Sequence, residues 1–368
     1  MVKVAINGYG RIGRVAHRVI LQKFSKDIEV VAINAGTSTD LQGWGYLLKY
    51  DTNYGTLQNE ITVKPVIASE AKQSSSEIAT SPAASRNDKL GNLLVDGKAI
   101  PVYSQKDTMM LPWKELGVDV VLECTGHMLT EEKSQAHIAA GAKAVIMSSP
   151  AKDATDTYVI SVNEKDYKGE QIVSNASCTT NCITPVAKVM EDAFGIEKAM
   201  MTTIHAYTSD QKLQDGGHKD YRRARAAAAN IVPTSTGATS AAAKALPSLA
   251  DKFSGLAIRV PVPVGSLSDF TFILKKETSV GEVNTVLKKA AESTQYKEIL
   301  TTTTDPIVSS DIVGDSHSAI VDLSLTQVVG GNMVKVIAWY DNEWGYSCRL
   351  VEEAILIGNS KHEILNSK

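Results

Sequence analysis

The sequence predicts an α/β protein with two domains, the first built on a parallel sheet and the second an α+β domain with a mostly antiparallel sheet. In the first half, short apolar runs alternate with helical segments, which is typical of parallel βα units. After residue 196 the extended runs become longer, which favours a mixed domain. The apolar runs lie at residues 2–6, 28–33, 118–123, 144–148, 198–205, 256–263, 269–275 and 333–340, and the helical segments near residues 11–23, 131–140, 235–246 and 280–293.

The length of 368 residues is sufficient for two domains. We place the first domain at residues 1–177, completed by a C-terminal helix in residues 343–368, and the second domain at residues 178–342; the motifs described below predict that the first binds a dinucleotide and the second is catalytic. Residues 66–88 fit neither domain because they are rich in Ser and Ala and show no apolar period. We interpret them as a surface insertion, with a partner-binding arm as the alternative.

Composition and charge exclude several classes of protein. Lys and Arg number 38 and Asp and Glu 41, and the net charge of −3 argues against nucleic-acid binding through bulk positive charge. No apolar run approaches the roughly 18 residues of a membrane span, and the first residues show no signal-peptide pattern. Four cysteines are too few for a disulfide framework. We therefore expect a cytoplasmic protein with reduced thiols that binds neither membranes nor nucleic acid.

A glycine-rich motif follows the first predicted strand. Gly8, Gly10 and Gly13 form the pattern Gly-x-Gly-x-x-Gly just before a helix. Gly8 permits a tight turn, Gly10 lets the backbone approach a pyrophosphate, and Gly13 allows the helix to pack on the sheet. The helix N-terminus supplies further donors to an anion. The motif predicts a Rossmann-type domain, and an ordinary glycine-rich turn is the alternative.

The end of the second predicted strand bears on the choice of cofactor. It reads Asn34-Ala35 and carries no acid for the adenosine ribose, the nearest being Asp40. A carboxylate there repels a 2′-phosphate, so its absence, with Thr37 and Ser38 nearby, removes one barrier to NADP. NAD held through Asn34 and backbone groups is an equal alternative.

Cys178 lies where a polar turn, Ser-Asn-Ala-Ser, precedes an apolar helical run. A helix N-terminus is expected to lower the pKa of the thiol, which favours a nucleophile, and the N–H groups of Cys178 and Thr179 are placed to hold an oxyanion. Cys182 follows one helical turn later and should face the interior. Two structural cysteines are the alternative. No metal is expected, because the pair supplies too few ligands.

His205 ends a strand-like run beside a polar loop and is a candidate base for Cys178, although a structural histidine fits equally. The basic residues of 218–225 fit phosphate recognition or subunit contacts better than RNA binding. Residues 235–238 open a helix that can hold an anion. Arg259 lies in an apolar strand, where it needs an anionic partner.

Long motifs occur along the chain in the order NGYGRIGR, SNASCTTNC, a His-x-Tyr-Thr loop, RRARAAA, STGA, IRVPVP, SSDIVG and WYDNEWGYS. In content and order they resemble the phosphorylating glyceraldehyde-3-phosphate dehydrogenase family, over all of the chain except residues 66–88. The resemblance implies oxidation of glyceraldehyde 3-phosphate, with NAD or NADP and inorganic phosphate, to 1,3-bisphosphoglycerate in glycolysis or gluconeogenesis. Cys178 would attack the aldehyde, His205 would activate the thiol, and phosphate would cleave the resulting thioester.

The resemblance also implies ligands for each group. Thr208 and Arg259 would hold the substrate phosphate. The pocket for the attacking phosphate would comprise Ser177, Thr179, Arg223, Thr236 and Gly237. The cofactor would contact Gly8, Gly10, Arg11, Ile12, Gly13, Asn34, Lys106, Thr125, Gly126, Ser148, Asn342 and Tyr346. The loop at residues 207–230 would reach a neighbouring subunit's cofactor site, which implies a homotetramer.

One departure and two alternatives accompany the resemblance. Ala35 stands where the family commonly has an NAD-selecting Asp, so strict NAD specificity is not expected. Erythrose-4-phosphate dehydrogenase shares the scaffold but uses water for deacylation, and the intact Thr179, Thr236 and Gly237 favour the phosphorylating enzyme. A non-catalytic nucleic-acid-binding or partner-binding protein is a more distant alternative, disfavoured by the complete pair of Cys178 and His205.

Overall fold

The computed structural model describes residues 1–66 and 89–366, which form two compact units. The first unit comprises Met1–Asp156, Lys168–Asn175 and Leu350–Lys368, and the second comprises Thr157–Tyr167 and Ala176–Arg349. Compared with the sequence-based division, residues 157–167 belong to the second unit, and the chain returns to the first unit at residue 350. Of the segment interpreted as a surface insertion, residues 67–88 lie outside the described residues.

The first unit contains the strands that precede and follow the glycine-rich motif. These strands are β1 (Val2–Asn7), β2 (Ile28–Asn34), β3 (Tyr50–Asp51), β4 (Gly55–Thr56), β5 (Ile61–Pro65), β6 (Lys89–Val95), β7 (Lys98–Tyr103), β8 (Val120–Glu123), β9 (Ala144–Met147) and β10 (Ile172–Ser174). Its helices are α1 (Arg11–Val19), continued by the π-helix Ile20–Phe24, α2 (Leu41–Lys49), the 3-10 helix Thr108–Met110, α3 (Trp113–Leu116) and α4 (Glu131–Ala139).

Within the described residues, eight of these strands form one sheet in the order β10-β9-β8-β1-β2-β7-β6-β5. The strands from β10 to β7 are parallel to their neighbours, whereas β6 and β5 extend the sheet as an antiparallel edge. Because β8, β1 and β2 are adjacent and parallel, their carboxyl ends meet at one edge of the sheet. This arrangement confirms the predicted Rossmann-type domain.

The second unit contains a larger mixed sheet. Its strands are β11 (Ile196–Ala206), β12 (Val232–Ser235), β13 (Phe253–Val260), β14 (Ser266–Leu274), β15 (Leu300–Thr303), β16 (Ala319–Asp322), β17 (Gln327–Val329) and β18 (Met333–Tyr340). Its longer helices are α5 (Cys178–Phe194), α6 (Ala238–Ala245) and α7 (Val280–Ala291), and α8 (Trp344–Asn366) begins in this unit. Its 3-10 helices are Glu164–Asp166, Ala227–Ala229, Pro247–Leu249 and Leu323–Leu325.

The sheet of the second unit has the order β12-β13-β11-β14-β18-β16-β15, with β17 paired to β18. β11 pairs in parallel with β13, and β15 with β16, while the other pairs are antiparallel, which confirms a mostly antiparallel sheet. The helix expected from residue 235 begins only at Ala238, because Ser235 still pairs with Leu256 in the sheet.

The core of the second unit explains why α5 lies where it does. Along β14 the side chains alternate between buried and partly buried, so one face of the strand packs into the core. Phe270 and Phe272 from this face join Val186 and Met190 of α5 in one buried apolar cluster. Burial of this apolar surface holds the helix on the sheet.

Candidate active site

The glycine-rich turn lies between β1 and α1 in the first unit. Gly8 has a φ of +92°, a conformation that side chains disfavour, and a Cβ there would lie 2.7 Å from the backbone nitrogen of Thr125. A Cβ on Gly13 would lie 2.2 Å from the Gly8 carbonyl oxygen, so only glycine lets the helix approach the turn. At Gly10 the space beyond Cα is open. The turn therefore fits the pyrophosphate of a dinucleotide.

A cavity of about 630 Å³ opens at this turn and is large enough for a nucleotide. Of the residues that the sequence associated with the cofactor, Gly8, Gly10, Asn34, Lys106 and Thr125 line it. Arg11, Ile12, Gly13, Gly126 and Ser148 do not line it. The cavity is also lined by residues that the sequence analysis missed: Asn7, Tyr9, Gly36, Trp44, Gln105, Thr108, Cys124, His127 and Met128.

Two of the expected cofactor side chains are engaged inside the protein. The Arg11 guanidinium forms an ion pair with Asp51, with Nη1 2.5 Å from Oδ2. The Asn34 amide nitrogen donates to Asn7 Oδ1 at 2.7 Å and to the Gln105 carbonyl at 2.9 Å, and its oxygen accepts from the Gln105 N–H. Asn34 thus shapes the cavity wall, and the Arg11 side chain is bound to β3, the strand that follows α2.

Cys178 is the first residue of α5, as the polar sequence before it indicated. The Ser177 hydroxyl caps the helix by accepting a hydrogen bond from the Thr180 N–H at 3.0 Å. Ala176 has a φ of +56°, an uncommon value for a residue with a side chain, and its carbonyl accepts from the Tyr346 hydroxyl at 3.2 Å. The cap and the tyrosine fix the turn that presents the thiol.

The sulfur of Cys178 lies 3.4 Å from Nε2 of His205, the last but one residue of β11. The other ring nitrogen, Nδ1, lies 2.7 Å from the carbonyl oxygen of Ala206. When Nδ1 carries the proton and donates to this carbonyl, Nε2 accepts from the thiol; when Nδ1 instead accepts from Arg259 Nη1, which lies 2.7 Å away, Nε2 carries the proton and donates to the sulfur. The geometry therefore suits a cysteine nucleophile with an imidazole base.

Burial changes the proton affinities of this pair. It raises the pKa of the Cys178 thiol, opposed by the charge of Arg259 and by hydrogen bonds from Thr179. The expectation of a lowered thiol pKa is therefore wrong for this pocket, because desolvation outweighs the helix N-terminus. Burial, and secondarily Arg259, lower the pKa of His205 to about 3. Taken singly, both groups are neutral at pH 7, so the nucleophile forms by proton transfer within the pair.

Arg259 lies beside His205 because β11 and β13 are paired with these two residues in register. Its Nη1 is 2.7 Å from His205 Nδ1 and donates to the Ala206 carbonyl at 3.1 Å. Burial lowers the pKa of Arg259. These neutral partners leave the positive charge uncompensated, which favours binding of an anion.

A chain of hydroxyl groups that the sequence analysis did not identify lies next to the pair. The Tyr340 hydroxyl is 2.9 Å from Thr179 Oγ1 and 2.7 Å from Thr203 Oγ1, and Thr203 contacts the Leu267 carbonyl at 3.2 Å. The Tyr340 ring also packs edge-on against His205, with centroids 6.0 Å apart. Tyr340 therefore supports the imidazole of His205 by packing against it, and the Thr179 hydroxyl is hydrogen-bonded to Tyr340.

The other residues expected to hold phosphate lie in the second unit, and they differ in the hydrogen bonds and ion pairs that they already make. Arg223 forms an ion pair with Asp210 and donates from Nε to Thr234 Oγ1 at 2.9 Å. Thr236 Oγ1 accepts from the Ala238 N–H at 3.2 Å, next to Gly237, which caps α6. The Thr208 carbonyl accepts from the Gln211 N–H at 2.9 Å.

Asn342 is buried in the second unit, where its Oδ1 accepts from the Gly265 N–H at 3.1 Å and from the Ser266 hydroxyl at 2.9 Å. These bonds fix the orientation of its amide. Throughout residues 1–66 and 89–366, His, Cys, Asp and Glu side chains form no group of three or more suited to a metal ion. In the same part of the chain, no helix has both the length and the apolar character needed to cross a membrane.

A dinucleotide turn in one unit and a cysteine–histidine pair in the other define an enzyme class: a dinucleotide-dependent enzyme with a cysteine nucleophile. Comparison with known proteins narrows this class. Residues 2–79 and 73–131 match the NAD binding domain of glyceraldehyde 3-phosphate dehydrogenase, and residues 177–342 match its C-terminal domain.

Two complete proteins are similar to this chain over nearly its whole length. The glyceraldehyde-3-phosphate dehydrogenase of Streptomyces coelicolor is 47% identical over 360 residues, covering 97% of this chain and 99% of that protein. The enzyme of the same name from Mycobacterium avium is 48% identical over 366 residues, covering 98% and 99%. The chain belongs to the glyceraldehyde 3-phosphate dehydrogenase family of NAD-dependent oxidoreductases. The predicted family and enzyme class are confirmed, and these relatives give no support to the erythrose-4-phosphate alternative.

Proposed function

We propose that the protein oxidises glyceraldehyde 3-phosphate to 1,3-bisphosphoglycerate in the presence of inorganic phosphate, with Cys178 as the nucleophile and His205 as the base. The observation that carries this proposal is the 3.4 Å contact between Cys178 Sγ and His205 Nε2 at the start of α5. The similarity to named glyceraldehyde-3-phosphate dehydrogenases supports the choice of substrate.

In the first step, Sγ bonds to the aldehyde carbon while His205 Nε2 takes the thiol proton, and a thiohemiacetal forms. The backbone N–H groups of Cys178 and Thr179, in the first turn of α5, stabilise the oxyanion. His205 returns this proton to the oxyanion, which completes the thiohemiacetal hydroxyl, and takes it back as the carbon is oxidised. NAD, when bound, supplies the hydride acceptor for this oxidation.

In the second step, inorganic phosphate attacks the thioester carbonyl, the carbon–sulfur bond breaks, and the Cys178 thiolate is regenerated. Arg259 holds the substrate phosphate, because its charge is half-buried and its partners here are neutral. We include Thr208 in the same phosphate site because of the resemblance to the family. Ser177, Thr179, Arg223, Thr236 and Gly237 form the pocket for the attacking phosphate, where the start of α6 provides N–H donors.

Omission of inorganic phosphate is expected to reduce the steady-state rate of glyceraldehyde 3-phosphate oxidation at least about 100-fold, because the thioester is then cleaved only by slow hydrolysis. The measurement is the absorbance of the reduced cofactor with and without phosphate or arsenate, with erythrose 4-phosphate as the comparison substrate. An equal rate without phosphate or arsenate would refute the phosphorylating reaction.

We propose further that the cofactor site accepts NADP as well as NAD. Among the described residues that line the cavity none is acidic, and Lys106 is basic. Ala35, Gly36 and Thr37 line the same cavity, so no carboxylate opposes a 2′-phosphate at the end of β2.

Replacement of Ala35 by Asp is expected to lower kcat/KM for NADP at least about tenfold, because like charges placed together are strongly unfavourable. The value for NAD should change by less than about threefold. Ala35→Asn is the uncharged control and should leave the ratio of the two kcat/KM values near that of the parent protein. A parent protein that already rejects NADP would disprove dual use.

The oligomeric state and the cellular compartment are two further parts of the proposal. We infer a homotetramer in which the loop at residues 207–230 contacts a neighbour, supported by exposed apolar side chains in the loop, Leu213 at 80% and Tyr221 at 87%, and directly after it, Ile231 at 69%. We place the enzyme in the cytoplasm, a compartment that keeps thiols reduced, because the proposed reaction needs Cys178 as a free thiol.

A further inference from the structure

A series of buried, hydrogen-bonded side chains leads from the wall of the nucleotide cavity into the first unit. It includes His137, which has no role in the reaction proposed at Cys178. His137 of α4 is fully buried in the first unit, as is Trp113 of α3. The Trp113 indole N–H donates to His137 Nδ1 at 3.0 Å. Because an indole nitrogen can only donate, Nδ1 must be unprotonated, and the neutral ring carries its proton on Nε2.

The proton on Nε2 is directed at Glu123, the last residue of β8. His137 Nε2 lies 3.1 Å from Glu123 Oε2, and the carboxylate is only 2% exposed. Oε2 also accepts from the Asn7 amide at 2.5 Å, while Oε1 accepts from the Thr125 N–H at 2.8 Å and from the Thr125 hydroxyl. Four donors thus surround a buried carboxylate, which makes its position unusually well defined.

The other partners of Glu123 are part of the cavity wall. Asn7 and Thr125 both line the nucleotide cavity, whereas His137, Trp113 and Glu123 do not. Asn7 Oδ1 in turn accepts from Asn34 at 2.7 Å, so the series crosses the carboxyl ends of β8, β1 and β2. His137 Nε2 also lies 3.3 Å from the Asn7 amide nitrogen, but both atoms are donors in this tautomer, so the two side chains are linked through the Glu123 carboxylate that both of them bind.

We propose that His137 is a positioning residue for dinucleotide binding, which acts through Glu123 to hold Asn7 and Thr125 in place. The proposal rests on the nucleotide-binding role of the first unit and does not depend on the reaction at Cys178. His137→Leu removes one donor from a buried carboxylate and the acceptor of Trp113, and the remaining partners must shift to compensate. Affinity for the dinucleotide should suffer, while chemistry at the thiol should not.

The test is calorimetric titration of the full-length protein with NAD, combined with steady-state kinetics. For His137→Leu we expect Kd and KM for NAD to rise roughly tenfold, with kcat and KM for glyceraldehyde 3-phosphate within about twofold. His137→Gln should restore near-normal binding, because its amide oxygen can accept from Trp113 while its nitrogen donates to Glu123. Trp113→Phe, which frees the ring tautomer and also leaves a small cavity in the apolar cluster, should raise Kd about two- to threefold and lower Tm.

Val145→Ala is the matched control for general loosening of the unit. Val145 is fully buried in the same apolar cluster as Trp113 but takes no part in the hydrogen-bonded series. This variant should lower Tm without changing Kd for NAD. Normal NAD affinity in His137→Leu, or an equal loss in Val145→Ala, would overturn the proposal. If the parent protein binds NAD but does not oxidise glyceraldehyde 3-phosphate, the proposed function fails while this inference stands.

Discussion

Cys178→Ser is expected to reduce kcat for phosphate-dependent oxidation by at least about 10⁴-fold. The serine hydroxyl occupies the same place but holds its proton far more tightly than a thiol does, and it forms no thioester. NAD binding should persist, because Cys178 is not among the residues that line the nucleotide cavity. Steady-state rates, with mass spectrometry of the acylated protein in the absence of phosphate, measure both consequences.

Cys182→Ala provides the matched control in the same helix. Cys182 is fully buried in the core cluster, one helical turn after Cys178. Its replacement should lower Tm by a few degrees through the small cavity it leaves, with kcat within about threefold of the parent. Activity of Cys178→Ser close to that of the parent, or an equal loss in Cys182→Ala, would show that the nucleophile lies elsewhere.

His205→Asn is expected to reduce kcat by roughly 10²- to 10⁴-fold, since the proton of the thiol loses its acceptor. It should also move the alkylation of Cys178 to higher pH. Burial raises the pKa of the thiol, and without the imidazole only Arg259 and the hydrogen bonds from Thr179 oppose that effect. The rate of reaction with iodoacetamide between about pH 5 and 10, compared with the parent protein, measures this shift.

His317→Asn is the control for the loss of a histidine from the second unit. His317 bonds to Asp315, with Nδ1 2.8 Å from Oδ1, and makes no contact with the thiol in this structure. It should leave kcat and the alkylation profile unchanged. An alkylation profile in His205→Asn that coincides with that of the parent would contradict the role of His205 as the base.

Local features of the site were predictable because their physical causes lie within a few residues. Ser177 and Cys178 were placed at a helix start from the polar turn before an apolar run, and the cap made by Ser177 is a contact between residues 177 and 180. The glycine turn was equally local, since its tight geometry depends on Gly8 and Gly13 themselves.

Other features depend on long-range pairing and could not be read from the sequence. His205 and Arg259 are 54 positions apart and touch only because β11 and β13 pair in that register. The ion pair of Arg223 with Asp210 and the hydroxyl chain through Tyr340 arise in the same way. The direction of the pKa shift of Cys178 was predicted wrongly, because burial is a property of the assembled unit.

The sequence by itself determined the two-unit α/β architecture, the dinucleotide turn and the position of Cys178 at a helix start, because periodicity, turn chemistry and helix capping act over short stretches of chain. Only the tertiary structure decided which charges meet. It set Arg259 beside His205, and it linked Trp113, His137 and Glu123 by hydrogen bonds to the wall of the nucleotide cavity. A hydrogen bond between distant residues exists only after the sheet register has brought donor and acceptor within about 3 Å of each other.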